Sequence, residues 1–373
     1  MKIVIDARLY GIENGGLGRY LVNLIDQISK LDKEDKFIVL LRKRYYDSLK
    51  FPENWKKELI DFRHYSLKEQ IELPRKLKSL NADLVHFPHF NVPVMFTGDF
   101  IVTIHDLLMH KSKGRDATTL PKHLYFLKRV GYKKVFSKAV YDSKKIIVPS
   151  KTVKADLLKE YKVDKEKIEA IYEGLDQNIV KHSGIRTIKR QYKIERDYFI
   201  YAGNAYPHKN LERAIEAMAF LNNGKSKKVY LLISTPKNVF VQKLQDQIKK
   251  LKAEDSVKIL GFVPDRELGV LIRNSIGFLY PSLQEGFGLQ GLEAIANETL
   301  LVASDIPAFK EVYKDNAIYF NPFDFSSIEK AMSDAIEMPA AKRKKIIKKA
   351  VKFIQRYSWE ENAKKTIAIY HGT

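Results

Sequence analysis

Two kinds of hydrophobic pattern alternate along the chain. Residues 2–5 form a short apolar run that reads as a buried strand, followed by a loop carrying Gly11, Gly15, Gly16 and Gly18. Beyond it, Leu17, Tyr20, Leu21, Leu24, Ile25 and Ile28 recur at helical spacing, which predicts an amphipathic helix. Further strand-like runs follow at Phe37–Leu41, Leu84–Phe87, Phe100–Ile104 and Lys145–Val148. The polar, basic stretch Asp176–Arg196 interrupts the pattern and has the composition of an interdomain linker. The alternation then restarts. Tyr198–Ala202 is a buried strand, Leu211, Ala214, Ile215, Met218 and Ala219 mark a helix face, and strands are predicted at Val229–Ile233, Val257–Leu260, Ile276–Tyr280 and Leu300–Ala303. Strands alternating with helices build parallel sheets, so the chain is expected to be an α/β protein of two doubly wound domains. Functional groups are then expected at the carboxyl ends of the strands.

Length supports two domains, because 373 residues exceed what one hydrophobic core usually organises. The composition is globular, with 45% hydrophobic and 30% charged residues. The absence of cysteine excludes a disulfide framework, thiolate metal sites and thiol nucleophiles, and suits a reducing compartment. The N-terminus reaches Asp6 after three apolar residues, and no apolar run approaches the roughly 18 residues that span a bilayer, so a cytoplasmic protein, soluble or peripheral on a membrane, is expected. The formal charge of +21 implies polyanionic company. Between Lys111 and Lys154 basic residues outnumber the two acids, Asp116 and Asp142, and are interleaved with Leu124, Tyr125, Phe126, Val130, Tyr132, Val135, Phe136 and Val140. A second basic run extends from Lys342 to Lys352.

The chemistry concentrates at strand ends. After the strand ending at Tyr280 comes Pro281-Ser282-Leu283-Gln284-Glu285-Gly286-Phe287-Gly288-Leu289-Gln290-Gly291-Leu292-Glu293, a glycine-rich loop that opens a helix near Gly288. Backbone amides of such a loop, backed by the positive end of a helix, form an anion site that suits a diphosphate. Glu285 and Glu293 lie too far apart to share a proton, and carboxylates are good acceptors for sugar and ribose hydroxyls. Gly203-Asn204-Ala205-Tyr206-Pro207-His208-Lys209-Asn210 follows another strand, and Lys209 is placed to offset the charge of a departing diphosphate. In the first half, Gly15 and Gly16 follow a strand where small residues let a ligand approach the backbone, with Arg19 just beyond. His105 closes the strand Thr103-Ile104-His105 at its carboxyl end, whereas His86 and His89 read as structural. There is no D-x-D, H-E-x-x-H or G-x-S-x-G run to suggest a metal site or a serine nucleophile.

The Glu285–Glu293 stretch resembles the E-x7-E signature of family-4 retaining glycosyltransferases of the GT-B fold, a resemblance covering nearly the whole chain. It implies that Glu285 contacts the donor sugar, that the amides of Gly286, Phe287, Gly288 and Leu289 bind the diphosphate, and that Glu293 holds the ribose. By the same resemblance Gly15 and Gly16 face the donor phosphates, Gly203, Asn204 and Lys209 belong to the donor site, and His105 faces the sugar with Glu285 and Lys209 as catalytic partners. Family members often carry Arg immediately after the glycine, where this chain has Asn204. The G-N-x-x-P-H-K-N run is similar to a subgroup in which many members transfer mannose.

The expected organisation is therefore an acceptor-binding Rossmann-like domain at 1–178, a nucleotide-sugar domain at 179–356, and a helix at 357–373 returning to the first domain, its start marked by the capping pattern Ser358–Glu361. The expected reaction is retaining, cofactor-free and metal-independent transfer of a sugar, with mannose from GDP-mannose favoured, to a hydroxyl of a glycan or lipid-linked acceptor. Residues 111–154 are expected to dock on anionic lipid. A sugar-nucleotide epimerase or hydrolase of the same fold is the alternative, together with a degenerate binding subunit or a basic nucleic-acid-binding protein. No RNA- or DNA-binding signature supports the last of these, and no nucleic-acid partner is expected.

Overall fold

The computed structural model describes residues 1–111, 122–175, 184–223 and 228–373, the side chains of 111 and 122–124 excepted. The chain forms two compact units, one of Met1–Gly174 with Ser358–Thr373, the other of Leu175–Tyr357.

The first unit is built on a parallel sheet of seven strands, β1 (Lys2–Asp6), β2 (Lys36–Leu41), β3 (Trp55–Leu59), β4 (Leu84–Phe87), β5 (Phe100–Thr103), β6 (Ile146–Val148) and β7 (Ile168–Ala170). Their order is β3-β2-β1-β4-β5-β6-β7. A parallel sheet is covered on both faces, which is why its central strands are nearly continuous Ile, Val, Leu and Phe. Side chains alternate between the faces. Val4, Val85 and Val102 point to a core shared with Leu73 and Leu77 of helix Leu67–Leu80 and with Phe136 of helix Lys122–Asp142. His86 faces the other way, and Tyr370 of the C-terminal helix Trp359–His371 reaches it with a 2.8 Å hydrogen bond to Nδ1.

That last helix packs on the helix Gly15–Leu31 and buries Trp359, Asn362, Ala363, Thr366 and Tyr370. Its start is fixed by Ser358, whose Oγ accepts from the Glu361 amide at 3.3 Å. Asn362 Nδ2 donates to the Tyr172 carbonyl at 2.9 Å. Among the described residues no helix is long and apolar enough to cross a membrane.

The second unit repeats the plan with six parallel strands, β8 (Tyr198–Ala202), β9 (Tyr230–Ser234), β10 (Val257–Gly261), β11 (Gly277–Tyr280), β12 (Leu301–Ser304) and β13 (Ile318–Phe320), ordered β10-β9-β8-β11-β12-β13. In both sheets the chain runs outward in one direction and then returns to build the other half. The switch falls between β1 and β4 in the first unit and between β8 and β11 in the second. Crevices at the carboxyl ends of such strand pairs are where doubly wound sheets hold ligands.

Two expectations need correction. Gly15 and Gly16 are the first residues of a helix rather than part of the preceding loop. The stretch read as a linker is partly structured: residues 176–183 lie outside the described set, but Ile185–Gln191 is a helix of the second unit. Ile188 and Ile194 are buried there and the Tyr192 hydroxyl donates to Glu267 at 2.6 Å, packing that the surrounding basic residues mask in the sequence.

Candidate active site

In the second unit, the turn after β8 and the loop after β11 are stitched together by backbone geometry. Gly203 has φ +145°, and a Cβ there would lie 2.8 Å from the Tyr201 hydroxyl oxygen, so only glycine fits. Pro207–Lys209 makes one 3-10 turn that ends on Asn210 in the left-handed region. Asn210 Nδ2 then donates to the carbonyls of Pro281 (3.0 Å) and Pro322 (2.8 Å), and the Leu283 amide donates to the His208 carbonyl at 2.8 Å. This stitching delivers Lys209 to Glu285. The ammonium meets Glu285 Oε1 at 2.6 Å, with side-chain exposures of only 12% and 10%. Ser282 Oγ donates to the same oxygen at 2.6 Å. Burial, with the charge of Lys209 adding to it, lowers the His208 imidazole to about 4, so it is neutral at pH 7.

The loop then turns at Gly288, φ +99°, into the helix Leu289–Ala296. Tyr313 closes the turn from behind by donating its hydroxyl to the Gly288 carbonyl. A Cβ on Gly291 would lie 2.3 Å from the same hydroxyl oxygen, so the helix start and the Tyr313 ring are packed against each other with no space for a side chain. The amino end of a helix has amides without intrahelical acceptors and the positive end of its dipole, both of which favour an anion. Phe287 is buried and packs edge-on to Tyr357 at 5.6 Å, so its side chain anchors the loop rather than facing solvent. Glu293, 8% exposed, lies within the helix. Burial raises the hydroxyls of Tyr280 and Tyr313 well above the usual tyrosine range, and the charges of Glu285 and Glu293 both add to that.

In the first unit, His105 lies just past β5, half-buried. Its Nε2 is 3.0 Å from the Pro88 carbonyl and its Nδ1 3.3 Å from Glu173 Oε1, so both ring nitrogens face protein acceptors. Tyr20 packs edge-on to it at 4.7 Å. At the β1/β4 switch point a small cavity opens among Asp6, His64, His89 and Asn91 above Leu17 and Leu21. Asp6 is held by Arg8, whose Nε and Nη2 donate to its two oxygens at 2.7 and 2.6 Å. Arg8 Nη2 also reaches Glu69 Oε1 at 2.7 Å, which accepts from Asn91 Nδ2 at 2.8 Å. Burial lowers His64 to about 4 and His89 to about 3, so both line the cavity as neutral imidazoles. His86 stays structural, its Nε2 2.9 Å from Thr103 Oγ1.

Family models match both halves: "Glycosyltransferase Family 4" over residues 14–178 and "Glycosyl transferases group 1" over residues 185–353. The chain belongs to the family-4 glycosyltransferases. The O-antigen chain mannosyltransferase RfbU of Salmonella typhimurium is 28% identical over 76% of this glycosyltransferase and 72% of its own length. The O-antigen chain mannosyltransferase B of Escherichia coli is 22% identical over 99% of both chains. Among solved structures, a sucrose-phosphate synthase from Thermosynechococcus elongatus superposes with a TM-score of 0.78 at 17% identity, covering 100% of this chain and 98% of that one, a match of GT-B fold.

For this glycosyltransferase, the candidates of the second unit (Gly203, Asn204, Lys209, Glu285 to Leu289 and Glu293) gather at the β8/β11 switch point and the helix that follows it. Gly15, Gly16 and His105 belong to the first unit. The buried set Asp6, Arg8, Glu69 and Asn91 was missed from sequence, although Asp6 ends a buried strand and so carried the same positional signal as His105. Asn204 offers its carbonyl to the Tyr201 hydroxyl at 2.7 Å.

Proposed function

We propose that this glycosyltransferase transfers mannose from GDP-mannose, with retention and without a metal ion, to a hydroxyl of a glycan or lipid-linked acceptor. The buried Lys209–Glu285 pair beside the Gly288 helix start carries this reading, because it sets a cation, a hydroxyl acceptor and an anion seat within one loop cluster. In this reading Glu293 accepts the ribose hydroxyls, the amides from Gly286 to Leu289 hold the diphosphate, and Glu285 orients the sugar. The C1–O bond to the diphosphate breaks, the acceptor oxygen attacks C1 from the same face, and the acceptor's proton passes to the departing phosphate oxygen. Lys209 takes the developing charge, the role a metal ion would otherwise fill. His105 orients the sugar once a ligand hydroxyl replaces the Pro88 carbonyl. The neutral His64 and His89, with Asp6 and Asn91, offer acceptor hydroxyls both donors and acceptors. Mannose is favoured by the two O-antigen mannosyltransferase relatives.

A thermal-shift screen of GDP, UDP and ADP with their common sugars tests the donor, since a ligand that binds only the native state raises its Tm. GDP and GDP-mannose are expected to give the largest rise. A rise with UDP or ADP alone overturns the guanine assignment, and rapid hydrolysis or epimerisation of donor without acceptor favours the alternative chemistry.

The acceptor's lipid is approached through helix Lys122–Asp142. Phe136, Ala139 and Val140 of its last half are buried in the core at 0% exposure, but Phe126, Leu127 and Val130 are 66%, 65% and 52% exposed. Lys128, Lys133 and Lys134 are exposed beside them. Apolar side chains ringed by cations suit an anionic bilayer, where each Lys or Arg adds about 1 kcal/mol. Residues 112–121 of the basic segment lie outside the described set. The protein is expected to sediment with phosphatidylglycerol vesicles at low salt and to be released at high salt; absence from the pellet at low salt refutes the docking.

A further inference from the structure

A second cluster of ligand-type side chains sits at the opposite end of the first unit's sheet. Asp32 ends the helix Gly15–Leu31 and Asp35 immediately precedes β2, so both lie at the amino ends of the strands, away from Asp6 and His105 at the carboxyl ends. The last residue of the C-terminal helix, His371, reaches the same place, its Nε2 2.7 Å from Asp35 Oδ2. One ligand atom from each of Asp32, Asp35 and His371 lies within 4.8 Å of the others.

The cluster is not closed by its own hydrogen bonds. Asp32 is 7% exposed; its Oδ1 accepts from the amides of Glu34 (3.1 Å) and Asp35 (3.0 Å), while its Oδ2 is buried without a partner among the described residues. A buried carboxylate oxygen with nothing to accept from is costly, and natural structures rarely leave one. The surroundings deepen the negative potential. Two helices, Gly15–Leu31 and Trp359–His371, end here, and the carboxyl end of each carries partial negative charge. The Met1 ammonium offsets part of this, but it is committed to Asp35 Oδ1 at 2.5 Å. The loop is also prearranged, since Asn54 Nδ2 donates to the carbonyls of Asp32 (3.2 Å) and Asp35 (2.9 Å).

We propose that Asp32, Asp35 and His371 bind one divalent zinc ion that clasps the C-terminal helix to the first unit. Two carboxylate oxygens and one imidazole nitrogen match zinc's ligand preference, whereas calcium and magnesium favour all-oxygen sets. Asp32 contributes the unpartnered Oδ2. His371 turns from its hydrogen bond with Asp35 to the metal, and a water fills the fourth position on the solvent side, where the His371 side chain is 53% exposed. The ion ties residues 32–35 to residue 371 and has no part in the transfer reaction.

Isothermal titration of the tag-free, chelator-stripped full chain with zinc chloride tests this, alongside melting curves and the visible spectrum of the cobalt-substituted protein. The expected result is one zinc per chain, a Tm that rises with zinc, and tetrahedral cobalt bands. Asp32→Asn and His371→Ala are each expected to weaken zinc at least tenfold and to abolish the Tm rise. Circular dichroism of the zinc-free variants checks that they are folded; His371→Gln, on the same half-exposed side chain, replaces His371→Ala if that variant is not. No zinc binding to the folded parent chain overturns the proposal, and so does a zinc affinity unchanged in either folded variant.

Discussion

Lys209→Ala is expected to lower kcat by about 10²–10³, the range lost when a preorganised donor to developing charge is removed. The expectation rests on the burial of the ammonium and on its direct pairing with Glu285, which together give the site a charge that water screens poorly. An ammonium has three N–H donors, so contact with Glu285 leaves others to meet the leaving diphosphate. Glu285→Ala is expected to be nearly as slow, because the sugar loses its hydroxyl acceptor and Lys209 loses the partner that fixes its position. Residues that act as a unit are non-additive, so the double variant should be no more than a few-fold slower than the worse single one. The checks are the rate of nucleoside diphosphate release with acceptor present and the melting temperature of each variant. Multiplicative losses in the double variant would mean that the two side chains act at separate points. A Lys209→Ala enzyme within tenfold of the parent would remove the leaving-group role.

The fold was legible where burial leaves a strong pattern and obscure where it does not. Strands β1, β2, β4, β5, β6 and β8 to β12 all announce themselves as apolar runs. The three unread strands, β3, β7 and β13, are edge strands, with sequences Trp-Lys-Lys-Glu-Leu, Ile-Glu-Ala and Ile-Tyr-Phe and only partial burial. An edge strand has one paired side and solvent within reach, so nothing forces it to be continuously hydrophobic. The basic aromatic segment divides for a similar reason: Phe136 and Val140 are core while Phe126 and Val130 are exposed, a distinction that composition does not contain.

The candidate site was legible as motifs but not as contacts. The glycine loop, Glu285, Glu293 and Lys209 stand out because strand ends and helix starts are where such residues have chemical work. Their direct pairing was not, since Lys209 and Glu285 are 76 residues apart and meet only because Asn210 and the His208 carbonyl tie the two loops together. The Asp6–Arg8–Glu69–Asn91 network was invisible for the same reason, being assembled from three segments of the first unit. What a linear reading supplies is positions at strand ends; which of them share a hydrogen bond is set by the switch points of the sheets.

Glu293→Ala is expected to cut the nucleotide-induced rise in Tm sharply, and Glu285→Ala to preserve it. A carboxylate that accepts from ribose hydroxyls makes charge-assisted hydrogen bonds worth about 1.5–3 kcal/mol, so its loss should weaken nucleotide binding by roughly 10- to 100-fold. At a nucleotide concentration of about 100 times Kd the parent gains about 2.7 kcal/mol from the ligand; a 100-fold weaker variant at the same concentration gains only about 0.4 kcal/mol. That difference is several degrees in a melting curve. Glu285 belongs to the sugar end of the donor, so free GDP should stabilise Glu285→Ala as it does the parent, while GDP-mannose should lose whatever advantage it has over GDP. Because Glu293 is nearly enclosed, its truncation has a folding cost, and the comparison is made between melting curves of each variant with and without nucleotide. Glu293→Gln, which keeps the volume and loses the charge, should show an intermediate shift. An undiminished GDP shift in Glu293→Ala would move the ribose contact elsewhere, and a shift lost in Glu285→Ala would place that residue on the nucleotide rather than the sugar.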